Sequence, residues 1–497
     1  MAMAPAALAE RGRAGSWDWL ARRAALHPER EYWRSDAAAW TAGELDARVD
    51  RVVGTLMERG VRPGDRVASL LPAEYQHVEL LFAAVRLGAI LVPLNAQLTR
   101  CELQERLDSA RPRLVVARPD ANVPPGCERL WVPADDPSHD ALAQAAPKAV
   151  GYVPAGDSPQ CLIYTSGTSG RAKGAVLTLS QHAWAARGSE WALGHDLRDA
   201  WLLALPLFHV GGQAIVLRAI WAGTRVVALP RFDARRVAAH LTDGSVTLAS
   251  LVPTMLQRVL EAAPAPHRFS ASLRAVLIGG GRADPDLLRQ AHAQGLPVRS
   301  TFGMTETASQ AATLEVGQAP DGLDTSGTPL IGVDVRIAQP GPDGIGEIAV
   351  RGPQVFRGYW DEDPRRPGDW FFTGDMGRLD PQGRLVVVDR RTDLIVSGGE
   401  NVYPAEIERV MASHPEVGAV AVVGVSDPEW GQSAVGVVVP AAGASPTPEG
   451  LAQFAAQHLA RYKVPRRWVL AAALPLTASG KVSRQAVRAL VESGAAP

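Results

Sequence analysis

The sequence predicts an α/β protein: a large N-terminal domain of two α/β subdomains plus a small barrel-like β subdomain, followed by a small α+β C-terminal domain. Three observations carry that prediction. Through the first 300 residues, short continuous apolar runs alternate with helical segments, the pattern of strands buried on both faces of a parallel sheet. From about 328 to 390 the texture changes to short strands separated by Gly, Pro and Asp turns. After Arg391 a compact stretch of about 100 residues carries its own helices and strands. The expected partition is therefore 1–391 and 392–497.

Taken in order, residues 16–60 read as two amphipathic helices around a short aromatic strand at Tyr32–Trp33, with Leu45, Val49, Val52, Val53 and Leu56 at helical spacing. VRPGDRVASLLP reads as turn, buried strand and exit, and VELLFAAVRLGAILVPLN as a helix and a second buried strand. LVVARP and LWVPA add short strands, and the Pro-, Ala- and Asp-rich stretch 133–160 reads as a surface connection. Alternation then resumes with the strands WLLALPL, TRVVALP, VTLASLVP and LRAVLIGGG. VDVRIA, GEIAVRG and RLVVVD form the small β region. The last region holds helices at Ala405–Ser413 and Pro448–Arg461, strands around Val417–Val425 and Ala434–Val439, and a glycine-containing loop before a final helix.

Composition narrows the function. With 46% hydrophobic and 21% charged residues, the chain is globular rather than disordered. A net charge of −1 gives no bulk electrostatic case for nucleic acid or an anionic membrane. The longest apolar runs, such as Ala89–Leu94 and Val417–Val425, fall well short of the roughly 20 residues a membrane span requires. The N-terminus lacks the features of a signal peptide. Cys101, Cys127 and Cys161 are too scattered for a disulfide framework or a metal cluster. A reduced, cytoplasmic location is the expectation. An assembly of identical chains is left open.

Only four of the 51 basic residues are lysines: Lys148, Lys173, Lys463 and Lys481. Where Arg serves as the general surface cation, a surviving Lys marks a place where a compact ammonium is wanted. Lys148 reads as linker surface, and Lys463 as a surface or phosphate-proximal cation.

The segment CLIYTSGTSGRAKGAVLTLSQHAWAA, 161–186, packs hydroxyls and glycines between an apolar strand and a helix. In Thr165, Ser166, Gly167, Thr168, Ser169, Gly170 and Lys173, small residues let backbone N–H groups approach an oxyanion, hydroxyls add donors and the lysine adds charge. It is not a Gly-x4-Gly-Lys-Ser/Thr loop. Other motifs are ambiguous when read alone. Asp375 reads equally as a turn carboxylate, Glu306 as a carboxylate favoured at a helix start, Arg390 as one of a solvated pair, and Lys481 as a solvent lysine.

Read together, these segments resemble the adenylate-forming superfamily of acyl-CoA synthetases, nonribosomal adenylation domains and luciferases, over about residues 17–490. The resemblance implies ATP, Mg²⁺ and CoA as reactants or cofactors, a small-molecule carboxylate as substrate, and a mobile C-terminal domain. It makes 165–173 the phosphate-binding loop. TFGMTET supplies Phe302 to stack on adenine, Gly303, Thr305 to bind phosphate and Glu306 to hold magnesium; the usual aromatic is Tyr. GGG, with Gly280 and Gly281, passes the adenine. WFFTGDMG supplies Asp375 for the ribose hydroxyls, and Arg390 is a second ribose or phosphate ligand. Thr392 stands at the hinge, where Asp or Lys is commoner. LTASGKVSR supplies Lys481, the adenylation lysine. Ser397, Gly398 and Gly399 line the pantetheine passage. Trp430 reads as a CoA contact or as core.

The expected chemistry explains these residue types. The substrate is already an anion, so neither a covalent nucleophile nor a general base is needed. Repulsion and alignment make the barrier, so cations, hydroxyls and a metal lower it. LPLFHVGG places His209, Gly211 and Gly212 at the acyl pocket, where His209 also reads as a strand-end cap. Ser309 is a further polar candidate. QHAWAA, LPLFHVGG, the 277–310 stretch and RRTDLIVSGGENVYPAEIE resemble the branch that joins 2-succinylbenzoate to CoA in menaquinone biosynthesis. Such a substrate carries two carboxylates, and no dedicated arginine for the second is evident. A medium-chain fatty-acyl or aryl-CoA synthetase is the alternative within enzymes. A non-catalytic nucleotide-binding protein of the same fold is the alternative outside them.

Overall fold

A computed structural model describes residues 17–133, 141–148, 150–166, 172–263, 269–281, 283–390, 394–475 and 482–493. The described residues form twelve α-helices and four sheets. Two compact units emerge, one from 1–96, 109–163 and 174–388, the other from 97–108, 164–173 and 389–497.

In the first unit the expected parallel strands form because their runs are apolar throughout. Leu114–Ala117, Ile90–Pro93, Ala200–Leu203 and Ala275–Ile278 are buried at every position. Arg66–Leu70 pairs in parallel with Ile90–Pro93 on one side and Leu114–Ala117 on the other. A nine-stranded sheet has a parallel centre that runs Val298–Phe302, Ala275–Ile278, Leu248–Leu251, Ala200–Leu203, Arg225–Ala228 and Glu31–Arg34. The two-residue strands Ala312–Thr313 and Thr328–Pro329 extend one edge antiparallel. They are too short for periodicity to reveal. Asp334–Ala338, Gly346–Arg351, Phe371–Leu379 and Leu385–Arg390 make a four-stranded sheet, antiparallel where Asp334–Ala338 meets Gly346–Arg351 and Gly346–Arg351 meets Phe371–Leu379.

Helix starts follow capping chemistry. Thr41 and Glu44 close a reciprocal capping box on Ala42–Glu58, and Thr178 and Gln181 do so on Leu179–Leu193. Among its described residues the 133–160 connection carries the short 3₁₀ turn Ala141–Ala143 and runs into the strand Pro159–Ser166.

The second unit is built on Val417–Asp427 and Gly431–Pro440, paired antiparallel, with Arg467–Leu470 parallel to the latter. The helices Pro404–Met411 and Pro448–His458 pack on it around Ile407, Met411, Val422, Val438 and Leu451. The second helix stops three residues before the expected Arg461, which instead begins a 3₁₀ turn, Arg461–Lys463.

Lys463 corrects the reading of a surface cation. It is 1% exposed. Its ammonium lies 2.5 Å from Glu102 Oε1 and 2.8 Å from Glu406 Oε1, and Arg106 stands 3.5 Å from the same Glu406 oxygen. Two cations and two carboxylates thus neutralise one another inside the unit, the only economical way to bury any of them.

Candidate active site

Strands Ala275–Ile278 and Val298–Phe302 lie side by side, and their C-terminal ends carry two of the glycine motifs. That edge of a parallel sheet is where α/β folds place ligands. After the first strand Gly280 turns at φ +75°, and a Cβ on Gly279 would sit 2.7 Å from Thr301 Cγ2. After the second, Gly303 faces the returning chain so closely that a Cβ would fall 1.6 Å from the Ser309 carbonyl oxygen. The return is made by Ala308 and Ser309 at φ +51° and +98°, left-handed positions that side-chain-bearing residues rarely occupy. The Phe302 and Met304 carbonyls accept from Ala311 and Ser309 N–H across this turn.

Glu306 sits inside it on the 3₁₀ turn Thr305–Thr307, 5% exposed. Its carbonyl accepts from Phe356 N–H at 2.8 Å and its Oε1 from the Tyr359 hydroxyl at 2.8 Å. Phe302 is largely buried with Ala192, Ala312, Leu330 and Ile348, so most of its ring packs in the core. Asp375 is 4% exposed on Phe371–Leu379. Its N–H donates to Thr373 Oγ1, and Gly374 at φ +76° donates to Glu347 Oε1. Among the described residues no three His, Cys, Asp or Glu side chains cluster as a metal site. The buried carboxylate of Glu306 suits magnesium, which commonly takes one or two carboxylates, several waters and the phosphates of a nucleotide.

The residues expected at the acyl pocket stand at the start of the helix Val210–Ala222, where His209 is the N-cap residue and its ring lies 4.6 Å from Phe208. A Cβ on Gly212 would come 2.2 Å from the Pro206 carbonyl, so only glycine lets the preceding turn fold onto the helix. Farther along the same helix is a residue that sequence reasoning missed. Arg218 is 5% exposed and donates through Nη2 to Ser309 Oγ at 3.1 Å, which joins the helix to the strained turn after Glu306. Its Nε is buried without a partner, and among the described residues no carboxylate pairs with it. Burial pushes its guanidinium down to about 9. Burial, with Arg218 adding to it, pushes His182 down to about 3, so that imidazole is neutral; its Nε2 lies 3.7 Å from Cys161 Sγ. The signal was present as a lone cation inside the apolar run AIVLRAIWA.

In the second unit, Thr165 and half-exposed Lys173 bracket the phosphate-loop motif, with Thr165 Oγ1 3.5 Å from the Lys173 carbonyl. Ser397 pairs with Glu400 across a tight turn whose Gly398 and Gly399 have φ +59° and +91°. A Cβ on Gly398 would meet the Trp430 ring at 2.7 Å; its N–H donates to the Trp430 carbonyl, and the Arg466 guanidinium stacks 4.6 Å over that ring. Gly167, Thr168, Ser169, Gly170, Thr392 and Lys481 lie outside the described residues, as do the side chains of Ser166 and Arg390.

Comparison with known proteins bears on the same regions. A model of the AMP-binding enzyme family matches residues 20–360, and one of the AMP-binding enzyme C-terminal domain matches 406–481. A 2-succinylbenzoate–CoA ligase of Geobacillus kaustophilus is 38% identical over 95% of this chain and 98% of its own length. A double mutant of the Bacillus subtilis o-succinylbenzoate CoA synthetase, solved with its product analogue OSB-NCoA, superposes with a TM-score of 0.87 at 33% identity, covering 95% of this chain and 98% of that one. The same synthetase in complex with ATP and magnesium gives 0.70 at 33% identity over 94% and 98%.

Proposed function

The chain belongs to the AMP-binding enzyme family, and from that premise we propose that it joins 2-succinylbenzoate to coenzyme A at the expense of ATP. It is an acid–CoA ligase. The observation that carries the choice of acid is Arg218. A buried guanidinium with no carboxylate beside it strongly favours a ligand that brings one. A 2-succinylbenzoate molecule has two: one is activated, and the other pairs with Arg218 beside Ser309. A simple benzoate or fatty acid leaves that charge uncompensated.

In this reading a carboxylate oxygen attacks the α-phosphorus, the bond to the bridging oxygen breaks and pyrophosphate departs with its electron pair. Lys481 draws carboxylate and α-phosphate together against their repulsion. Thr165, Ser166, Gly167, Thr168, Ser169, Gly170 and Lys173 grip the leaving phosphates, helped by Thr305. Glu306 would hold a magnesium ion, which would supply charge neutralisation on those phosphates. Gly280, Gly281, Phe302 and Gly303 border the adenine, and Asp375 and Arg390 take the ribose. His209, Gly211 and Gly212 shape the acyl pocket. The CoA sulfur then attacks the acyl carbon, the bond to AMP breaks and the thiol proton passes to water. Ser397, Gly398, Gly399 and Trp430 guide the pantetheine arm after rotation about Thr392.

An acid panel followed by AMP and acyl-CoA formation tests the reading. Turnover of 2-succinylbenzoate far above benzoate and octanoate is expected. Comparable turnover of either monocarboxylate with none of 2-succinylbenzoate overturns it.

A further inference from the structure

We propose that Tyr359 is a positioning residue that orients the Glu306 carboxylate for the nucleotide's magnesium ion and ties it to the strand leaving the phosphate loop. The proposal rests on the reading of Glu306 as the metal-holding carboxylate. Two hydrogen bonds converge on it. The Tyr359 hydroxyl donates to Glu306 Oε1 at 2.8 Å, a charge-assisted bond to a 5% exposed carboxylate. Phe356, three residues earlier, donates its N–H to the Glu306 carbonyl at 2.8 Å, so one short segment fixes both ends of the glutamate. The phenol is itself held. Its ring meets Phe356 edge-on at 4.9 Å, Phe356 meets Phe371 at 5.2 Å, and the Arg365 guanidinium covers both phenylalanines at 5.7 and 5.1 Å.

The backbone of the same segment runs antiparallel to Ala172–Thr178, the strand whose second residue is Lys173. Val176 N–H donates to the Gly358 carbonyl at 3.0 Å, Arg357 N–H to the Val176 carbonyl at 3.3 Å and Trp360 N–H to the Gly174 carbonyl at 2.8 Å. Gly358, at φ +128°, supplies the one left-handed position beside Tyr359. Tyr359 therefore presents its hydroxyl to Glu306 from a backbone fastened to the phosphate-loop strand.

The physical reason to need such a bond is geometric. A glutamate's last torsion is broad and nearly two-fold, whereas magnesium demands near-octahedral ligands. A fixed donor on one oxygen sets the plane of the carboxylate before the metal arrives. Removing an outer partner of a ligating side chain commonly weakens metal binding by about 10- to 100-fold.

The test is the binding of Mn²⁺, read by electron paramagnetic resonance, to the full chain saturated with a non-hydrolysable ATP analogue. Tyr359→Phe, which removes one oxygen atom, should weaken Mn²⁺ by about 10- to 100-fold. It should raise the Mg²⁺ concentration giving half-maximal adenylation by a similar factor, and leave the rate at saturating Mg²⁺ close to that of the parent. Melting is followed alongside. A lower Tm with unchanged Mn²⁺ affinity overturns the proposal, because the hydroxyl then only stabilises. Wild-type Mn²⁺ affinity in Tyr359→Phe, with loss in Glu306→Gln, defeats the proposal and leaves the role of Glu306 standing. Wild-type affinity in both defeats the role of Glu306 as well.

Discussion

Burial pushes the Arg218 guanidinium down to about 9, so it is still charged at neutral pH, with Ser309 as its hydrogen-bonding neighbour and a neutral His182 close by. Binding of an acid that reaches it needs the protonated form. The KM for 2-succinylbenzoate should therefore be flat below about pH 9 and rise as pH climbs through that value, while the KM for ATP stays level. Arg218→Ala removes one partner of a buried charge pair, a loss of about 2–5 kcal/mol and so roughly 30-fold or more in kcat/KM for the dicarboxylate. The same variant should narrow the preference over benzoate, since a monocarboxylate loses nothing there. Steady-state kinetics on both acids check this; an equal fall for both refutes the assignment. The motif residues were legible from sequence because their types recur in a fixed order, as in TFGMTET and WFFTGDMG. Arg218 was not, because helix periodicity registers a buried position but not the partner that is missing from it.

Among the elements, the helix Arg100–Ala110 was the least visible in sequence. Its residues are mostly polar: the buried apolar stripe is only Leu103, Leu107 and Ala110, and Glu102 and Arg106 beside it are buried in the charge cluster with Glu406 and Lys463. The parallel strands, by contrast, were legible as apolar runs. Burial alone would raise the Glu102 carboxyl. The charge and hydrogen bond of Lys463, with the Thr99 N–H and hydroxyl, outweigh that and hold it below the ordinary carboxylate range. The sign follows directly: the carboxylate adds stability above its unfolded pKa of about 4.3, and that stability is lost as pH falls through the lower folded value. Glu102→Gln should lower the unfolding free energy near neutral pH by about 3 kcal/mol, while the gap to the parent closes on the acid side. Denaturant unfolding from pH 3 to 7 measures it. Two curves that stay parallel over the whole range would show that Glu102 is not the source of the acid sensitivity.

For the molecule as a whole, the proposed mechanism assigns different groups to the two half-reactions. The first unit contains Gly280, Phe302, Glu306, Asp375, His209 and Arg218; the second contains Lys173, the Ser397–Gly399 turn and Trp430. Lys481, in the segment LTASGKVSR, is proposed as the group whose charge is wanted only while two anions approach each other. Attack of a thiol on a formed acyl-adenylate brings no such pair of anions together. Lys481→Ala should thus abolish pyrophosphate release from ATP and acid, yet leave the conversion of supplied acyl-adenylate and CoA to thioester within a few-fold of the parent. Gly398→Leu should do the reverse. Its side chain collides with the Trp430 ring, which a Cβ already approaches to 2.7 Å, and it distorts a φ +59° turn on the proposed pantetheine path without touching the nucleotide motifs. Following the two half-reactions separately in both variants decides the matter. An equal fall in both steps for either variant would mean that one arrangement of groups serves both chemistries, and the assignment of Lys481 and the glycine turn to separate steps would be wrong.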